Sequence, residues 1–219
     1  MSVAVPPGLV TALSLLRADA PRDVVNRPED WPRWEVLLPH VLAATAHSRD
    51  DLLAPGAASA CMWLMDRAGT YLQTQGRYRD AVPLMRRALG IGERVHGPDD
   101  RDVAASLNNL ATVLRDLGDP AAARPLAERA LAIDERALGP EHPDVAIRLS
   151  NLALVLQDLG EPAAARPPAE RALAIGERVL GPGHPVVEIF ERSLAGVLQA
   201  LGEHEAAARA ARREAGGTG

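Results

Sequence analysis

The chain of 219 residues has few of the residues from which sheet-based or disulfide-bonded cores are built. Aromatic side chains make up only 3% of the sequence and hydrophobic residues 47%, so the core has to be built mainly from alanine and leucine. Closely packed helices suit such a core better than a sheet, where β-branched and aromatic residues prevail. The single cysteine, Cys61, excludes an intrachain disulfide. The composition therefore predicts an all-α protein.

Other absences narrow the function and the location. The formal net charge is −5 with acids and bases interspersed, so there is no basic field to attract nucleic acid. The longest apolar run, at residues 36–46, contains Pro39 and His40 and is too short to cross a bilayer. The first residues lack a basic region, and Pro6 and Pro7 interrupt their apolar run, unlike a signal peptide. We expect a cytoplasmic protein that binds neither membranes nor nucleic acid.

An internal repeat accounts for most of the chain. Residues 97–138 recur as residues 139–180 with 30 of 42 aligned positions identical. A third copy of the unit begins at Gly181, and the residues before position 97 match the unit more weakly. The sequence predicts an N-terminal helical cap or linker at 1–56, four repeats at 57–96, 97–138, 139–180 and 181–214, and a disordered tail at 215–219.

Each repeat is predicted to contain two helices. In the second copy, apolar residues recur at steps of three and four from Val103 to Leu117. Gly118 is a predicted left-handed C-cap, and Asp119 followed by Pro120 opens the second helix. The proline pair at 167–168 predicts that the second helix of the third copy starts late or bends more. Such hairpins stack, which predicts a right-handed superhelical solenoid of antiparallel helix pairs.

These residues resemble the tetratricopeptide repeat in its 42-residue, kinesin-light-chain-like form. The Leu-Asn-Asn-Leu-Ala string at 107–111 and the Gly-Pro-Glu-His-Pro string at 139–143 carry the resemblance. It implies a non-enzymatic interaction module whose first helices line a concave groove for a peptide or partner protein.

A second resemblance gives the alternative function. Residues 31–41 are similar to the segment that joins a nucleotide-binding module to such repeats in bacterial NB-ARC signalling ATPases. No Gly-x-x-x-x-Gly-Lys-Ser/Thr string is present, so nucleotide hydrolysis is not implied. The alternative is a sensor or regulatory domain of such an ATPase that acts on a nucleotide-binding module elsewhere.

The two near-identical copies predict where a ligand binds. Their first helices differ at positions 105, 108, 112 and 115, which form one stripe on a helix, and at position 106. The charged residues of the second helix are the same in both copies: Glu128, Arg129, Glu135 and Arg136 match Glu170, Arg171, Glu177 and Arg178. Neutral drift should have changed these as well, so we predict that the stripe contacts the ligand. The alternative is chance variation of an exposed stripe.

Carried across the copies, the stripe and the residues beside it give a set of predicted peptide-binding residues. The resemblance implies that Asn109 and Asn151 hydrogen-bond a peptide backbone; the alternative for both is a structural bond to the neighbouring helix. Arg67, Arg115 and Arg192 suit acidic side chains or a terminal carboxylate, whereas Asp66 disfavours a purely acidic ligand. The predicted set is Asp66, Arg67, Thr70, Gln73, Asn108, Asn109, Thr112, Arg115, Ser150, Asn151, Leu154, Gln157 and Arg192.

No motif predicts catalysis, a metal site or a cofactor. His142 and His184 lie one whole repeat apart, too far to share an ion, and we expect them to shape turns. Serine, histidine and aspartate are present, but none lies in a nucleophile elbow or a glycine-rich loop. The sequence is compatible with a monomer or with weak self-association through the repeat ends.

Overall fold

The computed structural model describes residues 8–25, 27–46, 48 and 50–216. In this part of the chain the secondary structure consists of α-helices and two short 3₁₀ turns, Pro28–Asp30 and Asp50–Leu52, without a strand. The all-α prediction is therefore confirmed. The helices are α1 Leu9–Asp19, α2 Trp31–Ala46, α3 Pro55–Thr74, α4 Tyr78–His96, α5 Arg101–Asp116, α6 Pro120–Leu138, α7 Pro143–Asp158, α8 Pro162–Leu180 and α9 Pro185–Gly216.

The chain forms two compact units, residues 1–118 and 119–219. In the first unit, α3 and α4 pack as a hairpin, α5 packs on α4, and α1 and α2 cover α3. Leu64, Met65 and Met85 are completely buried between these helices. Gly69 allows the close approach of α3 to α4, because a Cβ atom there would lie 2.6 Å from Met85 Cγ.

The N-terminal segment is joined to the first repeat by polar as well as apolar contacts. Trp34 of α2 is completely buried, its ring stacks on Tyr71 at 6.1 Å between centroids, and its Nε1 donates to the carbonyl of Pro21. Arg87 of α4 donates to both carboxylate oxygens of Asp50, at 2.7 and 2.8 Å, and to the carbonyl and hydroxyl of Ser48. Hydrogen bonding to Asp50 raises the pKa of Arg87.

The predicted helix ends are found in the structure. Gly118 has φ +90°, which is the left-handed conformation expected after a helix. Asp119 accepts a hydrogen bond from the Ala122 amide at the start of α6. His142 and His184 act in the same way through Nδ1, accepting from the amides of Asp144 and Val186. Both histidines therefore shape turns, as predicted.

The second unit is a series of packed helices from α6 to α9. Neighbouring helices in the series pack together, and α7 also contacts α9. Its main apolar cluster is formed by Val145, Ala146, Leu149, Ala172, Ile175 and Phe190. Small alanines at two of these six positions let the helices approach closely, which fits the aromatic-poor composition.

Two features differ from the sequence predictions. Each repeat is predicted to contain two helices, but the fourth predicted repeat is a single helix, α9, which is continuous to Gly216. Gly202 does not adopt the left-handed conformation of the equivalent Gly76, Gly118 and Gly160, whose φ angles are +70, +90 and +75°, so the helix continues through it. α8 begins at Pro162, the equivalent of Pro120, so its start is not delayed, and a stronger bend of α8 stays a prediction. Of the predicted tail, residues 217–219 lie outside the described residues, as do residues 1–7 of the predicted cap.

No helix among the described residues combines the length and the apolar content that crossing a bilayer requires.

Candidate functional site

The candidate site in the first unit is the surface shared by α3 and α5. These helices are neighbours, and side-chain hydrogen bonds join them directly. Asn109 Nδ2 lies 3.0 Å from Asp66 Oδ2, and Gln73 Nε2 lies 2.7 Å from Asp116 Oδ2. We call this the α3–α5 surface; its predicted members are Asp66, Arg67, Thr70, Gln73, Asn108, Asn109, Thr112 and Arg115.

Asp66 is the centre of one polar network on this surface. Its side chain is only 8% exposed and accepts from Arg67 Nη2 at 2.6 Å and from the amide of Asn109. Asn109 thus makes the structural bond that was the alternative to ligand binding, and its amide nitrogen is already engaged. Since Arg67 and Asn109 compensate the charge of Asp66, this carboxylate is a weaker obstacle to an acidic ligand than the sequence suggested.

A second network surrounds Asp116 at the end of α5. This carboxylate accepts from Gln73 and, at 2.8 Å, from Arg115 Nη2. Sequence reasoning missed Asp116 because the copies carry aspartate at both equivalent positions, 116 and 158, and the comparison selected only positions that differ. Gln73 and Arg115 are therefore oriented before any ligand arrives.

The candidate site in the second unit is the corresponding surface of α7 and α9. We call it the α7–α9 surface; its predicted members are Ser150, Asn151, Leu154, Gln157 and Arg192. The two helices approach closely at Gly196, where a Cβ atom would lie 3.5 Å from Gln157 Nε2. Arg192 is exposed and donates from Nε to the carbonyl of Glu188. Ser193 Oγ is buried and has no partner among the described residues.

Several predicted residues are packed inside rather than presented to solvent. The exposed fractions of Asp66, Thr70, Asn108 and Ser150 are 6, 5, 6 and 3%. Thr112, Arg115, Leu154 and Gln157 are half-buried and remain within reach of a ligand. Because one edge of the predicted stripe is buried, its reachable part is narrower than the sequence suggested.

The unchanged charges of the second helices also have structural roles. Glu135 is half-buried and pairs with Arg171 of the following copy at 2.5 Å. Glu128 pairs with Arg124 on the same helix at 2.8 Å. Glu135 thus has a structural role of its own, which weakens its use as a reference for neutral drift of the stripe.

A pocket of about 420 Å³ opens where the N-terminal segment meets the α3–α5 surface. Arg17 and Arg22 line this pocket. Comparison between the copies could not identify them, because both residues precede the repeats. The guanidinium of Arg17 lies 5.9 Å from the centroid of the Trp63 ring. The lining residues are Arg17, Arg22, Ser59, Met62, Trp63, Asp66, Arg67, His96, Asp102, Ala105 and Ser106.

The thiol and the metal-ligating side chains of the chain do not form a reactive site among the described residues. Burial raises the pKa of the Cys61 thiol, which leaves it a poor nucleophile. Within the described residues, no three histidine, cysteine, aspartate or glutamate side chains are grouped as a metal site would require.

The repeat assignment is settled by comparison with a family model. The tetratricopeptide repeat model matches residues 59–136, 102–178 and 148–214, which together span most of the chain. The chain belongs to the tetratricopeptide repeat family. Members of this family are generally non-catalytic scaffolds for protein interactions.

Solved structures of similar fold include kinesin-light-chain-like proteins. One is a Podosopora anserina putative kinesin light chain with nearly identical TPR-like repeats, at 21% identity and a TM-score of 0.67; 92% of this chain and 90% of that chain are covered. Another is BtubC (BKLC) from P. vanneervenii, at 23% identity and a TM-score of 0.60, covering 97% and 90%. At these identities the likeness concerns the fold. No curated protein sequence matches the chain.

Proposed function

We propose that this protein binds a peptide or a segment of a partner protein on its first-helix surfaces, without chemistry. The observation that carries the proposal is the polar organisation of the α3–α5 surface. Asp66 and Asp116 hold Arg67, Asn109 and Arg115 in fixed positions at a half-buried surface. Fixed donors and acceptors lose less conformational entropy when a ligand binds than mobile ones do.

The proposed contacts differ between the two surfaces. On the α3–α5 surface, the carbonyl oxygen of Asn109 would accept from a peptide N–H, because its amide nitrogen already donates to Asp66. On the α7–α9 surface, Leu154 offers apolar contact and Gln157 offers an amide. A ligand of mixed polar and apolar side chains fits both.

The test places a bulky side chain on each surface without breaking these networks. Thr112→Arg combined with Leu154→Arg blocks the half-buried stripe and leaves the hydrogen bonds of Asp66 and Asp116 intact. The intact chain and this variant are used to retain peptides from a pool of random octapeptides, which are identified by mass spectrometry. We expect the variant to lose the peptides that the intact chain retains.

The matched control is Ala132→Arg combined with Ala174→Arg, which adds the same charge at exposed positions of the second helices α6 and α8. This control should retain the same peptides as the intact chain, and all three proteins should give the same helical circular dichroism. Equal retention by the blocked variant and the intact chain would refute the proposal.

The alternative, a regulatory domain that acts on a separate nucleotide-binding module, stays a prediction. Its test is co-purification of the chain with an isolated NB-ARC module, with nucleotide turnover by that module as the readout. A change in turnover when the chain is added would favour the alternative.

A further inference from the structure

We propose that the pocket between the N-terminal segment and the α3–α5 surface binds a carboxylate of the peptide ligand, held by Arg17 and Arg22. This inference rests on the proposed function and names the part of the ligand that one site recognises. It assigns a binding role to a segment that lies outside the repeats and otherwise covers α3.

The charges around the pocket leave two guanidinium groups for a ligand. Arg67 and Asp66 neutralise each other through their 2.6 Å ion pair. Neither Arg17 nor Arg22 forms an ion pair with another described residue; Arg17 lies over Trp63, and the backbone carbonyl of Arg22 accepts from Arg67 Nη1. A guanidinium group binds carboxylate through two parallel N–H donors, which suits two arginines at one pocket mouth.

A third arginine adds an unsatisfied donor to the wall. Arg67 Nε is buried and has no hydrogen-bond partner among the described residues. A buried N–H without an acceptor is destabilising, so an oxygen that reached it would contribute more than one placed in water. Trp63 and Met62 supply the apolar part of the lining. The recognised group is therefore a carboxylate next to an apolar side chain.

One acidic side chain in the lining limits how acidic the ligand can be. Asp102, in the first turn of α5, lines the pocket together with the arginines. His96 and Ser59 also line it, and His96 Nε2 lies 3.1 Å from Ser59 Oγ. We expect one carboxylate at the arginine end and a neutral or basic residue near Asp102, rather than a run of acidic residues.

The experiment uses two pools of random octapeptides, one with free and one with amidated carboxyl termini, applied to the full chain and to the Arg17→Ala, Arg22→Ala double variant. Both arginines are exposed, so their removal should leave the fold intact. We expect the full chain to enrich carboxylate-bearing peptides, and the double variant to bind them at least about tenfold more weakly, the loss expected for one charged hydrogen bond. Enrichment from the free pool alone identifies a terminal carboxylate; enrichment of Asp or Glu from both pools identifies a side chain.

The matched control is Arg79→Ala combined with Arg86→Ala on the exposed face of α4, which removes the same charge away from the pocket. It should bind the enriched peptides like the intact chain. The inference is overturned if neither pool shows carboxylate enrichment, if no peptide is retained, or if the Arg17, Arg22 variant binds the enriched peptides as the intact chain does. If that variant retains them while the Thr112→Arg, Leu154→Arg variant loses them, the proposed function survives and the carboxylate pocket does not.

Discussion

In the second unit, two contacts at the same position of the repeat are built from opposite chemistry. Where α7 packs on α6, Arg148 Nε lies 2.9 Å from Asp134 Oδ2, and the two side chains are only 13 and 3% exposed. Where α9 packs on α8, the equivalent residues are Phe190 and Gly176, and a Cβ atom on the glycine would lie 2.8 Å from Phe190 Cδ2. Both partners have changed together.

The first unit has a glycine at the same position of its second helix, but with different neighbours. Gly92 lies at the position of Asp134, and a Cβ atom there would be 2.7 Å from Met62 Sδ and 3.4 Å from Val103 Cγ2. The residue on the second helix is therefore matched to what packs on it. Because the copies are otherwise alike, this matching disfavours packing a helix of one copy on the wrong neighbour. An aspartate that faced a phenylalanine, for example, would be buried without a partner.

The largest loss of stability is expected from breaking the buried ion pair between Arg148 and Asp134. Arg148→Ala leaves the Asp134 carboxylate buried without its cation, and loss of one partner of such a pair costs about 3–5 kcal/mol. The measurement is urea unfolding followed by far-ultraviolet circular dichroism. The control is Arg166→Ala, which removes an exposed pair with Glu170 and should cost less than about 1 kcal/mol.

A double substitution tests whether both residues of the α6–α7 contact can be replaced together by those of the α8–α9 contact. Asp134→Gly combined with Arg148→Phe installs the Gly176 and Phe190 chemistry at the α6–α7 contact. Replacing a buried ion pair with well-packed apolar groups is often neutral, so the double variant should recover most of the stability lost by Arg148→Ala. A double variant as unstable as the single one would show that the two contacts are not interchangeable.

An intermediate loss of stability is expected from a substitution at Gly176. Gly176→Ala places a methyl group 2.8 Å from the Phe190 ring, and such overpacking costs about 1–3 kcal/mol. Gly90→Ala is the matched control, since Gly90 is exposed on α4 with no atom within 4 Å of its Cβ position, and alanine there should stabilise the helix by about 0.5–1 kcal/mol. Thermal midpoints should move in opposite directions; equal shifts would contradict the close-packing account.

The smallest loss of stability is expected from the half-exposed ion pair that links α6 and α8. Arg171→Ala removes the ion pair with Glu135 and a hydrogen bond to the Pro140 carbonyl. With side chains 37 and 32% exposed, the pair should contribute less than about 1 kcal/mol, and less still at high salt. Unfolding at two salt concentrations measures this. A loss as large as that of Arg148→Ala would mean that burial does not set the difference.

Much of the fold could be predicted from the sequence because its signals are local. Apolar spacing, the Gly118 turn and the Asp119 cap lie within a few residues of the helices they define, and all three were found as predicted. The continuous α9 was missed because glycine is compatible with a helix as well as with a left-handed turn, and the repeat pattern does not show which of the two Gly202 adopts.

The candidate site was predicted less completely. The family resemblance added Asn109 and copy comparison selected Arg115, but copy comparison could not find Asp116, which does not vary, or Arg17, which has no copy. It also could not separate Asn108, which is 6% exposed, from Thr112, which is half-buried, because burial depends on the neighbouring helix. The assignment of these residues to ligand binding remains a prediction.

The sequence by itself determined the helices, their caps and the repeated order of large and small residues, since hydrogen bonds and periodicity within 42 residues specify these. Only the tertiary structure decided which charges meet. Asn109 and Asp66 are 43 residues apart, as are Gln73 and Asp116. Such contacts depend on how one copy packs on the next, which brings together side chains that no local pattern connects.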